Sequence, residues 1–294
     1  MNRVNPRVDL IFKKLFGVEE NKDLLISLIN SIVSEEDQVV DLVLLNPYNP
    51  QNFLHDKLSI LDIKAQGKDG KRFNIEMQIT DSADYDKRAL YYWAKLYTEQ
   101  LKSGEDYEQL NKAIGIHILN FLSINGTDKY HNCFHITERD SGLRYFKDLE
   151  LHTIELKKFA ASESKEINEL VANIKSSLDM WVAFLTKHDL LNKDQLPAEL
   201  TAKPIHKALS ALELMNLNET ERYAYEDHLK WLRDEASTIK KAISEAKEEG
   251  ITIGEEKSIL KVARRMLQEN TDIKFISSVT GLSTDEILKL KNKL

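Results

Sequence analysis

The hydrophobic pattern of the first 160 residues switches between two periods. Residues 9–16 and 21–33 repeat at helical spacing, the second with Leu24, Leu25, Leu28, Ile29 and Ile32 on one face. Residues 39–45 form a short apolar run closed by Asn46-Pro47, which predicts a strand. Between Lys57 and Thr80 the period falls to two. Leu61, Ile63 and Ala65 share one face and Asp62 and Lys64 the other; further on, Phe73, Ile75, Met77 and Ile79 oppose Asn74, Glu76 and Gln78. The loop Lys68-Asp69-Gly70 suits a three-residue hairpin connection with Gly70 left-handed. That register pairs Gly67 with Lys71 and Asp62 with Glu76. A two-residue Asp69-Gly70 turn would shift the pairing by one and send the two carboxylates to opposite faces.

Residues 85–101 predict a helix with Leu90, Trp93, Ala94, Tyr97 and Leu101 on one stripe, ending at Ser103-Gly104. Residues 113–121 are almost unbroken apolar sequence, a buried central strand, and 133–137 and 151–156 read as further strands. The order predicts an α/β fold, a mixed sheet with helices on both faces. Beyond about residue 160 the strand signal stops. A helix over 167–186 carries Leu170, Ile174, Leu178, Trp181, Val182 and Leu185, and Pro197 and Pro204 punctuate the connection to helices at 207–215 and 219–234. Residues 234–268 predict a charged helix interrupted at Gly250 and Gly254. The end, 271–294, predicts a helix-turn-helix with Gly281 at the turn and Ser283 and Glu286 as a capping box. The expected organisation is a domain over 1–160, a helical region over 161–234 and a C-terminal helical arm over 235–294. Two apolar stripes in that arm, Ile239, Ala242, Ile243 and Ala246, then Ile259, Val262, Ala263 and Met266, predict a homodimer, with packing on the preceding helices as the alternative.

The hairpin carries the chemistry. One acidic side chain facing another in an otherwise apolar sheet is costly, and the usual compensation is a divalent cation. Asp62 and Glu76 therefore mark a candidate metal-dependent phosphodiesterase. The plainer reading is a wet polar face, common in antiparallel sheets. Composition narrows the field. The chain has 294 residues, 42% hydrophobic and 30% charged, as in a soluble globular protein large enough for a real core. No apolar run approaches the ~20 residues of a membrane span and no secretory leader stands out, so the expected setting is cytoplasmic, without membrane contact. The net charge of −7 weighs against DNA binding only mildly, because local patches set phosphate affinity. Cys133 alone permits no internal disulfide and predicts no zinc cluster, and the eight histidines show no metal-ligand spacing. No glycine-rich phosphate loop or Gly-x-Ser-x-Gly elbow points to a small-molecule cofactor or a serine nucleophile.

LDIKAQ followed by FNIEMQ resembles the core of PD-(D/E)XK nucleases, with glutamine at the motif's lysine position. The flanking blocks RVDLIFKKLFG, KRALYYWAKLY and KSGEDYEQLNKAIGIHILNF, in that order, are similar to the Rpn family of recombination-promoting nucleases, also described as transposases. The likeness covers most of the chain. It implies a restriction-endonuclease-like core and an Mg²⁺-dependent (or Mn²⁺-dependent) DNA endonuclease acting in recombination or defence against foreign DNA. Asp62 and Glu76 would be the metal ligands, joined by the Met77 carbonyl, with Gln78 completing the catalytic set.

Gln78 brings hydrogen bonds but no charge, which leaves two alternatives: it orients the water by itself, or a cation from Lys64, Arg88 or Lys95 compensates. Asp9, an i,i+4 partner of Lys13, would place an acid behind the metal ligands; the alternative is a surface ion pair. Tyr92, one turn after Arg88, is the candidate substrate contact, whereas Trp93 and Tyr97 read as core. The last helix carries Lys289, Lys291 and Lys293 beside Leu288, Leu290 and Leu294, leaving groove reading and packing both open. The alternative function is a catalytically weak DNA-binding or protein-interaction member of the same family.

Overall fold

The computed structural model describes residues 4–45, 48–49, 59–60, 62–81, 84–159 and 166–292, and the side chains of all these except 48–49, 59–60, 235–236, 239 and 252. The expectations at Asn46-Pro47, Leu61, Lys293, Leu294 and the Ile239 side chain lie outside what is described. Two helices open the fold, α1 (Asp9–Phe16) and α2 (Lys22–Ile32), followed by strands β1 (Leu42–Leu44), β2 (Tyr48–Asn49), β3 (Ser59–Ile60), β4 (Ile63–Gly67) and β5 (Arg72–Gln78). Helix α3 (Tyr85–Thr98) leads to β6 (Ala113–Leu119), β7 (His131–Phe134) and β8 (Leu149–Glu155). Then come α4 (Ile167–Val171), α5 (Ser177–Lys187), α6 (Lys203–Leu214), α7 (Glu219–Gln268), α8 (Ile273–Thr280) and α9 (Thr284–Lys291).

Six strands form one mixed sheet in the order β1-β4-β5-β6-β8-β7, and β2 pairs separately with β3. The apolar run at β6 is its centre, buried along its whole length and flanked by parallel β5 and β8. Beside the sheet, Phe12, Phe16, Trp181 and Phe184 stack in sequence with ring centroids 4.9, 5.4 and 5.6 Å apart. Helices α5 and α6 pack on α2, and α6 also meets α1. This is the predicted α/β architecture followed by helices.

Several local expectations needed correction. The predicted helix over 167–186 is two helices. Its apolar spacing stays in phase across the break, but Ser176 accepts a hydrogen bond from the Asp179 amide and starts α5 afresh. Strand β7 begins at His131 rather than Cys133. Gly250 and Gly254 do not interrupt α7, since a helical glycine costs only ~1 kcal/mol. The stripe on α3 is rotated: Leu90 is exposed, while Tyr85 and Leu96 are buried.

The chain divides into two compact units, residues 1–228 and 229–294. In the second, Ala263, Leu267, Ile276, Ile287 and Leu290 form a small core, with Met266 packed against it. Part of the second apolar stripe is thus covered by α8 and α9, while Ile243, Ile259 and Val262 stay exposed. Gly281 turns between the two helices at φ 72°, and Ser283 and Glu286 make the predicted capping box.

Candidate active site

The hairpin adopts the three-residue loop. Gly70 sits at φ 87°, the Gly67 amide donates to the Lys71 carbonyl at 2.9 Å, and Ile63 pairs with Ile75. One step outward in that register Asp62 stands beside Glu76. The Asp62 amide lies 3.4 Å from Glu76 Oε1, and the Met77 amide donates to Asp62 Oδ2 at 2.7 Å. The two carboxylates therefore share the sheet face that also carries Lys64, Asn74 and, by the parallel pairing of Glu76 with His117, the β6 histidine.

This face is not wet. Glu76 is 6% exposed, Asn74 0% and His117 2%. Helix α3 packs on β5 and β6. Burial raises the pKa of Glu76, opposed by the Asn74 amide, the Asp62 N–H, Lys13 and Arg88. Burial also raises that of Asp62, reinforced by Glu76 and Asp9 and opposed by Lys13. Protons or a cation must accumulate where two such groups meet.

Helix α1 supplies one cation. Lys13 Nζ lies 3.0 Å from Asp9 Oδ1 and 3.3 Å from Asp62 Oδ1, so Asp9 and Lys13 reach the carboxylate pair together. Burial lowers the Lys13 pKa, but Asp62 and Asp9 outweigh it and the net shift is upward. Helix α3 supplies the second. Arg88 lies over the Tyr85 ring, 5.1 Å from its centroid, and its charge acts on Glu76. Tyr92, half-buried, feels burial first and then Glu76, which raises its pKa.

The other expected cations are placed elsewhere. Lys64 is buried in an ion pair with Glu99, and Lys95 Nζ lies 5.8 Å from the Tyr91 ring centroid. Gln78 ends β5, half-buried, opposite Leu119. Trp93 and Tyr97 stack at 5.3 Å, and the Trp93 indole donates to the Ala113 carbonyl.

Sequence reading passed over two neighbours, Tyr85 and His117. The Tyr85 hydroxyl is 2.8 Å from His117 Nδ1, and burial, followed by Arg88 and His152, pushes the histidine pKa down to about 4. A neutral ring with its proton on Nε2 would accept a hydrogen bond from the tyrosine O–H at Nδ1. His117 Nε2, Arg88 Nη2 and both amide atoms of Asn74 are buried without a hydrogen-bond partner of good geometry. Their signal in the sequence was position: Tyr85, Arg88 and Tyr92 fall on one side of α3.

Do these residues suit a metal? The donors are carboxylate oxygens, which favour a hard divalent cation. Both carry an ionisation penalty that such a cation relieves, and unpartnered polar atoms surround them. The residues fit.

A family model described as "PD-(D/E)XK nuclease family transposase" matches residues 6–242. The chain belongs to this family. No curated protein and no solved structure gives a significant match. As a PD-(D/E)XK nuclease family transposase, the chain carries the family's general activity, cleavage of DNA phosphodiesters, and nucleases of this kind typically use a divalent metal. The match spans the whole sheet and the helices through α6. No helix among the described residues is long and apolar enough to cross a membrane.

Cys133, which the sequence offers no metal partner for, lies with Glu150 and His152 so that their ligand atoms fall within 4.8 Å of one another.

Proposed function

We propose that this family member is an Mg²⁺-dependent DNA endonuclease, with Mn²⁺ as a substitute, whose metal ligands are Asp62 and Glu76. The observation that carries the reading is the buried carboxylate pair, brought together from adjacent strands with Lys13 and Arg88 beside it. A divalent cation held there lowers the pKa of bound water and neutralises charge on a scissile phosphate. The Met77 carbonyl is the candidate third donor. Asp9 holds Lys13, and Lys13 and Arg88 supply the positive charge that Gln78 lacks. Gln78 orients the nucleophilic water by its amide, and Tyr92 contacts the substrate next to Arg88. Lys64 and Lys95 serve packing and surface roles in this scheme.

Plasmid nicking by the purified chain, compared in Mg²⁺ and in EDTA, tests the proposal. Nicking that requires Mg²⁺ is the expected result, and equal cleavage in EDTA overturns it. The sequence resemblance to recombination-promoting nucleases supports a role in recombination or in defence against foreign DNA.

A second reading is favoured by Gln78 itself: a catalytically weak member that binds DNA or a protein. Lys257, Lys261, Arg264 and Arg265 line one groove of the C-terminal unit, suited to phosphate contact. No nicking together with retained DNA binding would select it. Exposed Ile243 and Ile251 on α7, apolar on a charged helix, support a homodimer that would present two sites to the two strands of a duplex. Light scattering at micromolar concentration decides between dimer and monomer.

A further inference from the structure

The opposite face of the same sheet carries a second constellation, at the β7/β8 edge. Side chains alternate along a strand, so His131, Cys133 and, just past the strand, His135 point the same way. Cys133 pairs with His152 across the ladder, and Glu150 precedes His152 by two positions. The parallel pairing of His152 with Ile116 and of Ile116 with Ile75 sets this group on the face away from Glu76.

Three donor atoms converge, those of Cys133, Glu150 and His152, with His135 beside the thiol. Cys133 Sγ lies 3.3 Å from His135 Nε2 and 3.9 Å from His152 Nε2, and His152 Nε2 lies 2.8 Å from Glu150 Oε1. A tetrahedral centre with Zn–S of about 2.3 Å and Zn–N of about 2.0 Å holds sulfur and nitrogen about 3.5 Å apart, between the two observed values. Thiolate, imidazole and carboxylate together suit Zn²⁺ better than a hard cation.

The surroundings prepare the ligands. Lys112 and Arg144 hold Glu150 Oε2 at 2.8 and 3.1 Å, leaving Oε1 to face His152. On the far side of the His152 ring, Nδ1 lies 2.9 Å from His131 Nε2, the kind of outer partner that fixes a ligand's tautomer. Cys133 is exposed, which gives an ion a path in.

A cysteine nucleophile activated by His152 fits less well. In such a triad the carboxylate orients the imidazole from the nitrogen opposite the thiol. Here thiol and carboxylate both face Nε2, as two ligands of one ion do.

We propose that Cys133, Glu150 and His152 form a zinc site, with His135 beside the thiol as the candidate fourth ligand, separate from the nuclease carboxylates, that clips edge strand β7 to β8. The test uses the full chain, stripped of metal and titrated with Co²⁺ and then Zn²⁺. The expected result is a thiolate-to-cobalt charge-transfer band that saturates at one equivalent and is erased by Zn²⁺. Cys133→Ser abolishes the band, and zinc retained after desalting falls from about one per chain to near zero. His135→Asn weakens Co²⁺ binding about tenfold or more. Asp62→Asn leaves the band unchanged, which separates this site from the carboxylate pair. A folded wild-type chain with no band overturns the proposal. So does zinc retention in Cys133→Ser equal to wild type, or unchanged Co²⁺ affinity in His135→Asn.

Discussion

Across β4, β5 and β6 the two faces of the central sheet are buried to nearly the same degree and built from opposite materials. On one, Ile63, Phe73, Ile75, Ile114, Ile116 and Ile118 are each 3% exposed or less. On the other, Lys64, Asn74, Glu76 and His117 are each 6% exposed or less. The first face stabilises the fold by removing apolar area from water. The second removes charges and amides from water, and only some of them find partners. Equal burial with unequal chemistry separates stability from function. It also disposes of the wet-face reading of Asp62 and Glu76, since a solvated face would not push both pKa values upward.

The largest expected effect falls on the polar face. Asp62→Ala or Glu76→Ala is expected to reduce Mg²⁺-dependent nicking on the order of 10³-fold or more, with circular dichroism unchanged. Full nicking in either variant, from protein free of contaminating nuclease, sinks the site assignment. On the apolar face, Phe73→Ala is expected to cost about 3–5 kcal/mol in denaturant unfolding, because the ring is fully enclosed. A cost below about 1 kcal/mol would show that this face is not the stabilising one.

The next effect is smaller and opposite in sign. Asp62 and Glu76 have folded pKa values above their unfolded ones, so the folded state binds extra protons. Stability from this pair is then highest at low pH and falls as pH rises through the folded values. In EDTA, Glu76→Gln is expected to stabilise the chain by on the order of 1–2 kcal/mol at pH 8, with little effect near pH 4. Thermal melts at the two pH values check this, and destabilisation at pH 8 would mean the carboxylate is well satisfied without metal. The mildest change is Gln78→Lys. It restores a charge at the end of β5 and is expected to be tolerated, with activity unchanged or a few-fold higher. Complete loss of nicking would assign the glutamine amide a specific role.

How much of this was legible beforehand follows from how local each feature is. The hairpin register could be worked out because Gly70, the alternation of β4 and β5 and the loop length all lie within two dozen residues. The central strand declared itself by an apolar run. The rotation of α3 was not legible: the helix packs on a polar face, so its buried side uses Tyr85, Arg88 and Leu96, and a stripe drawn through Leu90 follows the wrong side. The split between α4 and α5 hid because Leu170, Ile174 and Leu178 keep helical phase across it, while the Ser176 cap is a single residue. Lys13 was visible only as a partner of Asp9; its reach to Asp62 is tertiary. The cysteine–histidine cluster escaped because its ligands come from two strands. Metal-ligand spacing counted along one segment cannot see Cys133 meet His152, although His131, Cys133 and His135 at alternate positions were a usable sign.

The hairpin has a kinetic consequence. Its two strands are contiguous in sequence and can pair within about 1–10 μs, whereas β5 and β6 are parallel and must wait for α3 to form and cross. In that order of events Asp62 and Glu76 would meet while still hydrated and ionised, and α3 would bury them afterwards. The upward pKa shifts of the pair mean that refolding in metal-free neutral buffer is expected to take up protons. A metal ion supplied at that moment would take the protons' place, and the carboxylate pair would become a participant in its own assembly.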